Sequence, residues 1–262
     1  MLDVRELTVE YRTPSGSLRA VDRVDLQLAH GAVLGLVGES GCGKSTLVRA
    51  IMGVLPPGAR IAGGQVRIAG APVTRERLWR DLAFVPQTAM NALDPVYRVR
   101  DQMREVLCGR AKLSRAEADR RAAALFRDVG LDPARLSDFP HQFSGGMRQR
   151  AGIALALALR PRLLLLDEPV TALDVIVQRQ VLDTLRDLAA AQRLSAVIVT
   201  HDISVVAYLC EEVAVMYAGR IVERGPAADV LVRPAHPYTM GLMNAFPDIH
   251  GAAGALTSIA GA

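Results

Sequence analysis

The chain has 262 residues, half of them hydrophobic, and a formal net charge of +4 at pH 7. This length and composition predict an ordinary globular protein with one large core. The longest apolar runs, such as LLLLD and SAVIVT, are far shorter than the ~18 to 20 residues of a membrane-spanning helix, and the N-terminus lacks a signal-peptide pattern. The basic residues are scattered without aromatic interleaving, which gives direct nucleic-acid binding little support.

The first elements surround a glycine-rich loop. Residues 1 to 35 alternate between apolar and polar, which predicts half-buried antiparallel strands. The apolar run VLGLV then leads into Gly38–Ser45, which fits the pattern G-x-x-x-x-G-K-[ST]. Glycines let successive backbone N–H groups face a polyphosphate, while Lys44 reaches the β- and γ-phosphates and Ser45 holds Mg²⁺. The loop therefore predicts a nucleotide site.

Three cysteines are present, at positions 42, 108 and 210, and they make no metal-ligand spacing. Their low number is typical of a reducing compartment, so we expect the cytosol. Cys108 and Cys210 are expected to be small buried apolar residues. Cys42 lies inside the phosphate loop, so thiol reagents are expected to affect nucleotide binding.

The segment after the loop, STLVRAIMGVL, is a predicted helix that stops at Pro56-Pro57-Gly58. Residues 61 to 73 alternate like the first segment, and DLAFVP is typical of a buried strand. From about residue 89 to 160 the chain is Ala- and Arg-rich with helical periodicity, and Ser114 with Glu117 forms a predicted capping box. We interpret this stretch as a helical insert.

Two adjacent carboxylates, Asp167 and Glu168, follow the apolar run LLLL. Because parallel strands end beside the phosphate loop, we expect Asp167 to bind Mg²⁺, often through water, and Glu168 to polarise the attacking water. An isolated acidic pair would more often be a solvated strand end. An amphipathic helix with Val181, Leu185 and Leu188 on its buried face precedes the strand SAVIVT.

A serine and two glycines, at Ser144–Gly146, open an Ala- and Leu-rich helix. Their hydroxyl and N–H groups lie at the positive helix end, which predicts a second phosphate-binding surface. Alone, such a triplet is more often a flexible helix entry. Its meaning depends on its companions: Gln87 after LAFVP, TALD at 171 to 174, and His201 after SAVIVT.

In this order the motifs resemble those of the ATPase subunits of ABC transporters: phosphate loop, Q-loop, SGG signature, acidic strand end, D-loop and switch histidine. The resemblance implies an α/β fold with a RecA-like P-loop NTPase core, an antiparallel β subdomain and an α-helical subdomain bearing the signature. It implies an ATPase domain over residues 1 to 225, with the helical subdomain at about 89 to 160, and a short C-terminal extension over 226 to 262.

The resemblance also implies roles for individual residues. Tyr11 corresponds to the aromatic that stacks on adenine, and Gln87 to the sensor of Mg²⁺ and water that links the site to the membrane subunit. Glu168 is then the catalytic carboxylate, and His201 contacts the γ-phosphate and positions the attacking water. The expected ATP-binding residues are Tyr11, Gly38, Ser40, Gly41, Cys42, Gly43, Lys44, Ser45, Thr46, Ser144, Gly145, Gly146 and Asp174. The expected Mg²⁺ ligands are Ser45, Gln87 and Asp167.

The family's mechanism requires a dimer, in which the signature of one subunit closes over ATP held by the other. Ser144 and Gly146 are therefore expected to act in trans, and Asp174 to communicate across the dimer. The difference between ATP and ADP in affinity for the closed dimer drives the membrane subunits.

The tail contains RPAHPYTMGL at 233 to 242, followed by Phe246-Pro247, and resembles the HPYTxGL element of peptide and nickel importer ATPases. Met147 in the signature and NALDPV at 91 to 96 point the same way. We therefore expect import of peptides or of nickel and other metal complexes. HPYT is also compatible with a purely structural role, as a Pro-containing turn that packs an amphipathic end. Relatives often continue into a cysteine-rich tail, which this sequence lacks, so no metal or iron–sulfur site is expected there.

The expected partners are a homologous second ATPase in a heterodimer, or a second copy in a homodimer, and two transmembrane permease subunits. An extracytoplasmic substrate-binding protein would act indirectly. The expected location is the cytoplasmic face of the inner membrane, as a peripheral protein.

Two alternatives stay open. A non-transport ABC ATPase of a soluble enzyme or DNA-maintenance complex would share the nucleotide chemistry, but the 100 positions from Lys44 to Ser144 leave no room for a long coiled coil or zinc insert. A P-loop kinase acting on a small molecule would need neither the SGG signature nor dimerisation.

Overall fold

The computed structural model describes residues 1–14, 16–74, 76–78, 80–87, 92–171 and 173–245. The predicted Phe246-Pro247 element, the extension beyond residue 245, Asn91 and Ala172 lie outside the described residues. Contacts divide the chain into two units. The first unit contains Met1, Ala29–Ala32 and Val73–Val197, and the second contains Leu2–Leu28, Val33–Pro72 and the chain from Ile198 onward.

An antiparallel sheet of four strands lies in the second unit. The strands are β1 (Leu2–Thr13), β2 (Gly16–Leu28), β4 (Ala59–Ile68) and β5 (Ala71–Pro72), in the order β2-β1-β4-β5. Along β1, Leu2 and Val4 are buried on one face, and a register shift moves the alternation by one residue so that Leu7 and Val9 are buried as well. The predicted antiparallel strands are confirmed.

The second unit also contains the strand that carries the phosphate loop. β3 (Val33–Val37) is buried along its whole length and pairs in parallel with β9 (Glu212–Tyr217), which pairs antiparallel with β10 (Arg220–Pro226). Helix α1 (Lys44–Met52) follows the loop. Its predicted end at Pro56 is wrong, because Gly53 adopts the left-handed conformation (φ 68°) and ends the helix earlier.

Three short helices complete the second unit: α6 (Ile203–Leu209), α7 (Ala227–Val232) and α8 (Pro237–Asn244). Pro237 occupies the first turn of α8, so HPYT begins a helix rather than a turn, while the packing role of that alternative is confirmed by the burial of Tyr238. Tyr238 and Leu242 are buried in a cluster with Val37, Val206, Val213, Val215, Ala227 and Val230. The C-terminal segment is thus part of the core of this unit.

The first unit has parallel strands and the remaining helices. β6 (Leu82–Val85) pairs in parallel with β7 (Leu163–Asp167), and β8 (Ser195–Val199) begins in this unit beside β7. The helices are α2 (Val99–Gly109), α3 (Arg115–Asp128), α4 (Gly145–Ala156) and α5 (Val175–Gln192), with short 3₁₀ helices at Pro133–Ser137 and Pro140–Gln142.

Two local predictions are confirmed in these helices. The Ser114 hydroxyl accepts from the Glu117 N–H while the Glu117 carboxylate accepts from the Ser114 N–H at 3.0 Å, which is the predicted capping box. Val181, Leu185 and Leu188 are buried on α5. Among the described residues, no helix is long and apolar enough to cross a lipid bilayer.

Candidate nucleotide site

The loop between β3 and α1 is shaped by glycines that no other residue can replace without strain. Gly38 and Gly43 have φ values of 151° and 112°. A Cβ atom on Gly38 would lie 2.2 Å from the carbonyl oxygen of Met216, and one on Gly43 would lie 2.2 Å from that of Ala20. The loop is therefore packed closely against backbone on one side.

The N-terminus of α1 lies at the end of this loop. Its N-cap is Gly43, which has no side chain to satisfy the first N–H groups of the helix. Ser45 is exposed and Thr46 is half-buried in the first turn, and Ser40 and Gly41 are exposed in the loop. The first N–H groups of a helix and the positive end of its dipole suit an anion, so this geometry fits a polyphosphate.

Lys44 is held inside the loop. Its side chain is buried, and Nζ donates to the carbonyl oxygens of Gly38 and Glu39, both at 2.7 Å. The sulfur of Cys42 lies 3.7 Å from the same nitrogen and is buried. These contacts hold the ammonium group against the backbone of the loop.

The other two cysteines differ from the expectation that they are fully buried. Cys108 and Cys210 are half-buried residues, although burial of the Cys210 thiol raises its pKa to about 12. The prediction that both residues are buried is wrong, because each lies at the end of a helix and is partly exposed to solvent.

Tyr11 lies near α1 on strand β1. Its hydroxyl is 3.2 Å from the Thr46 hydroxyl, and the residue is half-buried. Tyr11 also lines an open cleft of about 490 Å³ together with Gly58, Ala59 and Arg60. An aromatic ring beside a cleft and next to the loop's helix fits the expected adenine contact.

In the first unit the acidic pair ends β7. Asp167 and Glu168 are half-buried, and Glu168 has a left-handed backbone with φ 48°. Its carboxylate oxygen Oε2 accepts hydrogen bonds of 2.9 Å from the Gln87 side-chain amide and from the Thr171 hydroxyl. A non-glycine residue in this conformation is strained, and such strain clusters at functional sites. The structure thus brings together Gln87 and Glu168, which the sequence predicted as separate motifs.

Thr171 is the residue that sequence reasoning missed in this cluster. It is the first residue of TALD and lies three positions after Glu168. This spacing could have predicted the contact, because the hydroxyl of a residue three positions after a carboxylate can reach it across a tight turn.

The signature and the D-loop lie at the N-termini of two helices packed together. Ser144 caps α4 by accepting from the Met147 N–H at 3.3 Å, and Asp174 caps α5 by accepting from the Val177 N–H at 3.0 Å. A Cβ atom on Gly146 would lie 2.1 Å from Cγ1 of Val177. Gly146 therefore allows these two positive helix ends to approach.

His201 lies two residues after β8 and is exposed in a short connection to α6. The connection is fixed on both sides. The Thr200 hydroxyl accepts from the Asp202 N–H at 2.9 Å, and Asp202 caps α6 by accepting from the Ser204 N–H at 2.8 Å. The histidine is thus presented on an ordered loop.

Sequence reasoning also missed a contact between the C-terminal segment and the phosphate loop. The Tyr238 hydroxyl accepts a hydrogen bond of 3.0 Å from the Glu39 N–H. Burial raises the pKa of Tyr238, so the phenol stays neutral.

A glycine cradle at a helix N-terminus and a strained, hydrogen-bonded glutamate after a buried strand define the protein as a P-loop nucleotide hydrolase. The family model for the ABC transporter matches residues 21–171, and a model for the oligopeptide/dipeptide transporter C-terminal region matches residues 222–262. The chain belongs to the ABC transporter family, and it is an ABC-type ATPase.

Individual relatives agree with this assignment. The chain is 40% identical to the oligopeptide transport ATP-binding protein OppD of Salmonella typhimurium over 100% of its length and 80% of the relative. It is 40% identical to the dipeptide transport ATP-binding protein DppD of Bacillus subtilis, over 96% of the chain and 79% of the relative. Among solved structures, the ATP-binding cassette MJ0796 in a dimeric post-hydrolysis state with ADP and phosphate is 25% identical, with a TM-score of 0.74 over 87% of this chain and 99% of that chain.

Proposed function

We propose that this chain is the ATP-hydrolysing subunit of an ABC importer for peptides. The observation that supports hydrolysis is the position of the Glu168 carboxylate. It accepts hydrogen bonds from Gln87 and Thr171 just after β7, where the Glu168 backbone is strained. Two relatives similar over nearly the whole chain are named for oligopeptide and dipeptide transport, which supports peptides as the cargo. The relatives reported above carry no name that refers to nickel, so metal complexes are the second choice of cargo.

The nucleotide would bind with its phosphates on the phosphate loop. The backbone N–H groups of the loop and of the first turn of α1 would face the phosphates, with Lys44 reaching the β- and γ-phosphates. Tyr11 would stack on the adenine. The residues proposed to bind the nucleotide from its own subunit are Tyr11, Gly38, Ser40, Gly41, Cys42, Gly43, Lys44, Ser45 and Thr46.

Mg²⁺ would be held by Ser45, Gln87 and Asp167. Hydroxyl, amide and carboxylate oxygens are the ligands that this hard cation prefers. When bound, the ion supplies charge neutralisation at the β- and γ-phosphate oxygens.

Glu168 would accept a proton from the attacking water. A general base needs a defined orientation. The hydrogen bonds from Gln87 and Thr171, both at 2.9 Å, supply that orientation. We propose that His201, on its ordered loop, contacts the γ-phosphate and positions the water.

The signature would act on ATP bound by a second ATPase subunit. Ser144, Gly145 and Gly146 lie at the N-terminus of α4, and Asp174 caps the neighbouring helix α5. Two adjacent positive helix ends form a surface suited to phosphate groups. The second subunit would be a homologous ATPase or a second copy of this chain. Two permease subunits would hold the pair at the cytoplasmic face of the membrane, and an extracytoplasmic binding protein would deliver the peptide.

The test compares the wild type with Glu168→Gln, alone and with the two permease subunits in lipid bilayers. The matched control is Glu105→Gln, on an exposed face of α2. We expect phosphate release to fall at least a hundredfold in Glu168→Gln, the size of a lost general base, while ATP binding persists and an ATP-dependent dimer accumulates. The control should behave as wild type, and the permeases should stimulate wild-type activity.

Other outcomes separate the alternatives. Phosphate transferred to a small acceptor, with no ATP-dependent dimer, would identify a kinase. Activity that is indifferent to permeases but stimulated by a soluble complex would identify a non-transport ABC ATPase. Near-normal turnover in Glu168→Gln would remove that residue from its role.

A further inference from the structure

The phosphate loop is held in place at four points by residues outside it, and one of these comes from the C-terminal segment. Gly38 packs on the carbonyl of Met216, and Gly43 packs on that of Ala20. The Cys42 carbonyl accepts from the Gly219 N–H at 2.9 Å. The fourth point is the bond from the Glu39 N–H to Tyr238, on helix α8.

The bond to Tyr238 and the bond to Lys44 involve one and the same peptide group. The carbonyl of Gly38 accepts from Lys44 Nζ at 2.7 Å, while the N–H of Glu39, on the same Gly38–Glu39 peptide, donates to Tyr238 at 3.0 Å. A peptide group is planar, with its C=O and N–H pointing in opposite directions. A rotation of this plane that breaks the bond to Tyr238 therefore also moves the Gly38 carbonyl oxygen that accepts from Lys44.

Tyr238 itself is rigidly placed. It is 7% exposed and packs in the apolar cluster that includes Val37, Val206 and Leu242. Its ring lies 4.3 Å from the ring of Tyr217, centroid to centroid. His236 is the N-cap of the helix that carries it, and its Nδ1 accepts from the Tyr238 N–H at 3.1 Å. The hydroxyl is thus a fixed acceptor rather than a mobile one.

We propose that Tyr238 is a positioning residue for ATP binding, which acts through the Gly38–Glu39 peptide on the ammonium group of Lys44. Tyr238 itself touches no phosphate. It holds the peptide plane whose carbonyl oxygen places Lys44, so the C-terminal segment contributes to the affinity of the site for the β- and γ-phosphates. This inference rests on the proposed function, because it requires that ATP binds at this loop.

The test is Tyr238→Phe in the full chain, which removes only the acceptor oxygen and keeps the ring. Tyr217→Phe is the matched control: it is the same chemical change on the neighbouring ring, whose hydroxyl has no hydrogen bond within the described part of the chain. Equilibrium binding of ATP and of AMP is measured by calorimetry, with ATP hydrolysis and thermal unfolding in parallel.

We expect Tyr238→Phe to raise Kd and KM for ATP about 3- to 10-fold, the effect of one lost hydrogen bond. The value of kcat at saturating ATP should stay within about twofold, because the loss lies in binding common to ground and transition states. Binding of AMP, which lacks the β- and γ-phosphates, should be unchanged. Tyr217→Phe should match the wild type.

Three outcomes would overturn the inference: an unchanged Kd for ATP, an equal loss of AMP binding, or an equal loss in Tyr217→Phe. The last two would show general loosening of the loop rather than placement of Lys44. A wild type that binds no ATP would overturn the proposed function itself, and this inference with it.

Discussion

Gln87 donates from its side-chain amide to Oε2 of Glu168, at 2.9 Å, across 81 positions of the chain. The same oxygen accepts from Thr171. One oxygen of the carboxylate is therefore oriented by a side chain that follows β6 and by one that follows β7, and these two strands pair in parallel. The orientation of the proposed base depends on the ends of both strands.

Replacement of Thr171 by valine tests one half of this arrangement. The change removes the hydroxyl donor and keeps the shape, so Glu168 loses one of its two described hydrogen bonds. We expect kcat to fall about 3- to 10-fold with Kd for ATP unchanged, from the loss of one hydrogen bond. Thr184→Val on α5 is the control, because its hydroxyl donates to the Gln180 carbonyl of its own helix. Equal rates for Thr171→Val and wild type would show that the Thr171 hydroxyl is not needed to orient the base.

Gly146→Ala tests the packing between the signature helix and α5. The added Cβ would lie 2.1 Å from Cγ1 of Val177, so either the valine side chain or one of the two helices must shift. We expect the free energy of unfolding in urea to fall by about 1 to 3 kcal/mol, the usual cost of overpacking. Val177→Ala removes the clashing methyl group and should restore most of that loss in the double variant. If the double variant is no more stable than Gly146→Ala, the clash is not the cause.

A comparison of two glycines in the phosphate loop distinguishes the cost of backbone strain from the cost of a steric clash. Gly41 and Gly43 both have positive φ, at 83° and 112°. A Cβ on Gly41 meets no atom within 4 Å, whereas one on Gly43 meets the Ala20 carbonyl at 2.2 Å. We expect Gly41→Ala to cost about 1 to 2 kcal/mol in unfolding free energy from backbone strain, and Gly43→Ala to cost clearly more. Urea unfolding without nucleotide measures both, and equal losses would contradict the packing described for the loop.

Glu223 should make the stability of the protein depend on pH, because its carboxylate accepts hydrogen bonds from the backbone just before α8. Burial alone would raise its pKa, but hydrogen bonds from the amides of Ala235 (2.7 Å) and His236 (3.0 Å) bring the pKa below its ordinary 4.5. A lowered folded-state pKa adds stability above pH 4.5 that is lost as pH falls through the folded-state value. Glu223→Gln should therefore be less stable than wild type near neutral pH and approach it in acid.

Urea unfolding of both proteins from pH 7 down to the acid range measures this difference. Glu105→Gln, on the exposed face of α2, serves as the reference for loss of a charge alone. A stability gap between wild type and Glu223→Gln that stays constant over the whole pH range would mean that the carboxylate charge does not contribute.

Periodic patterns predicted the parts of the fold that repeat along the chain. Alternation gave the strands on either side of the loop, and the spacing of Val181, Leu185 and Leu188 gave the buried face of α5. Helices α7 and α8 have six and eight residues, too few for a periodic signal, and the sequence predicted only an extension there.

For the site, too, local motifs were predicted and contacts between distant residues were not. Motif order predicted Gln87 and Glu168, but not that they bond to each other, because that bond depends on the strand pairing of β6 with β7. Thr171 is a single loop residue without a pattern. The Tyr238 bond joins residues 199 positions apart, and no local spacing encodes such a contact. Long-range polar contacts are the part that sequence patterns could not supply.

The bond from Glu39 to Tyr238 uses a backbone N–H, and this restricts how the two positions can vary during evolution. Any amino acid except proline supplies that hydrogen, so the side chain at position 39 can change freely while the contact persists. Proline at position 39 would leave the tyrosine hydroxyl without this donor. In an alignment of related chains, proline at the second position of the phosphate loop and tyrosine at position 238 should exclude each other.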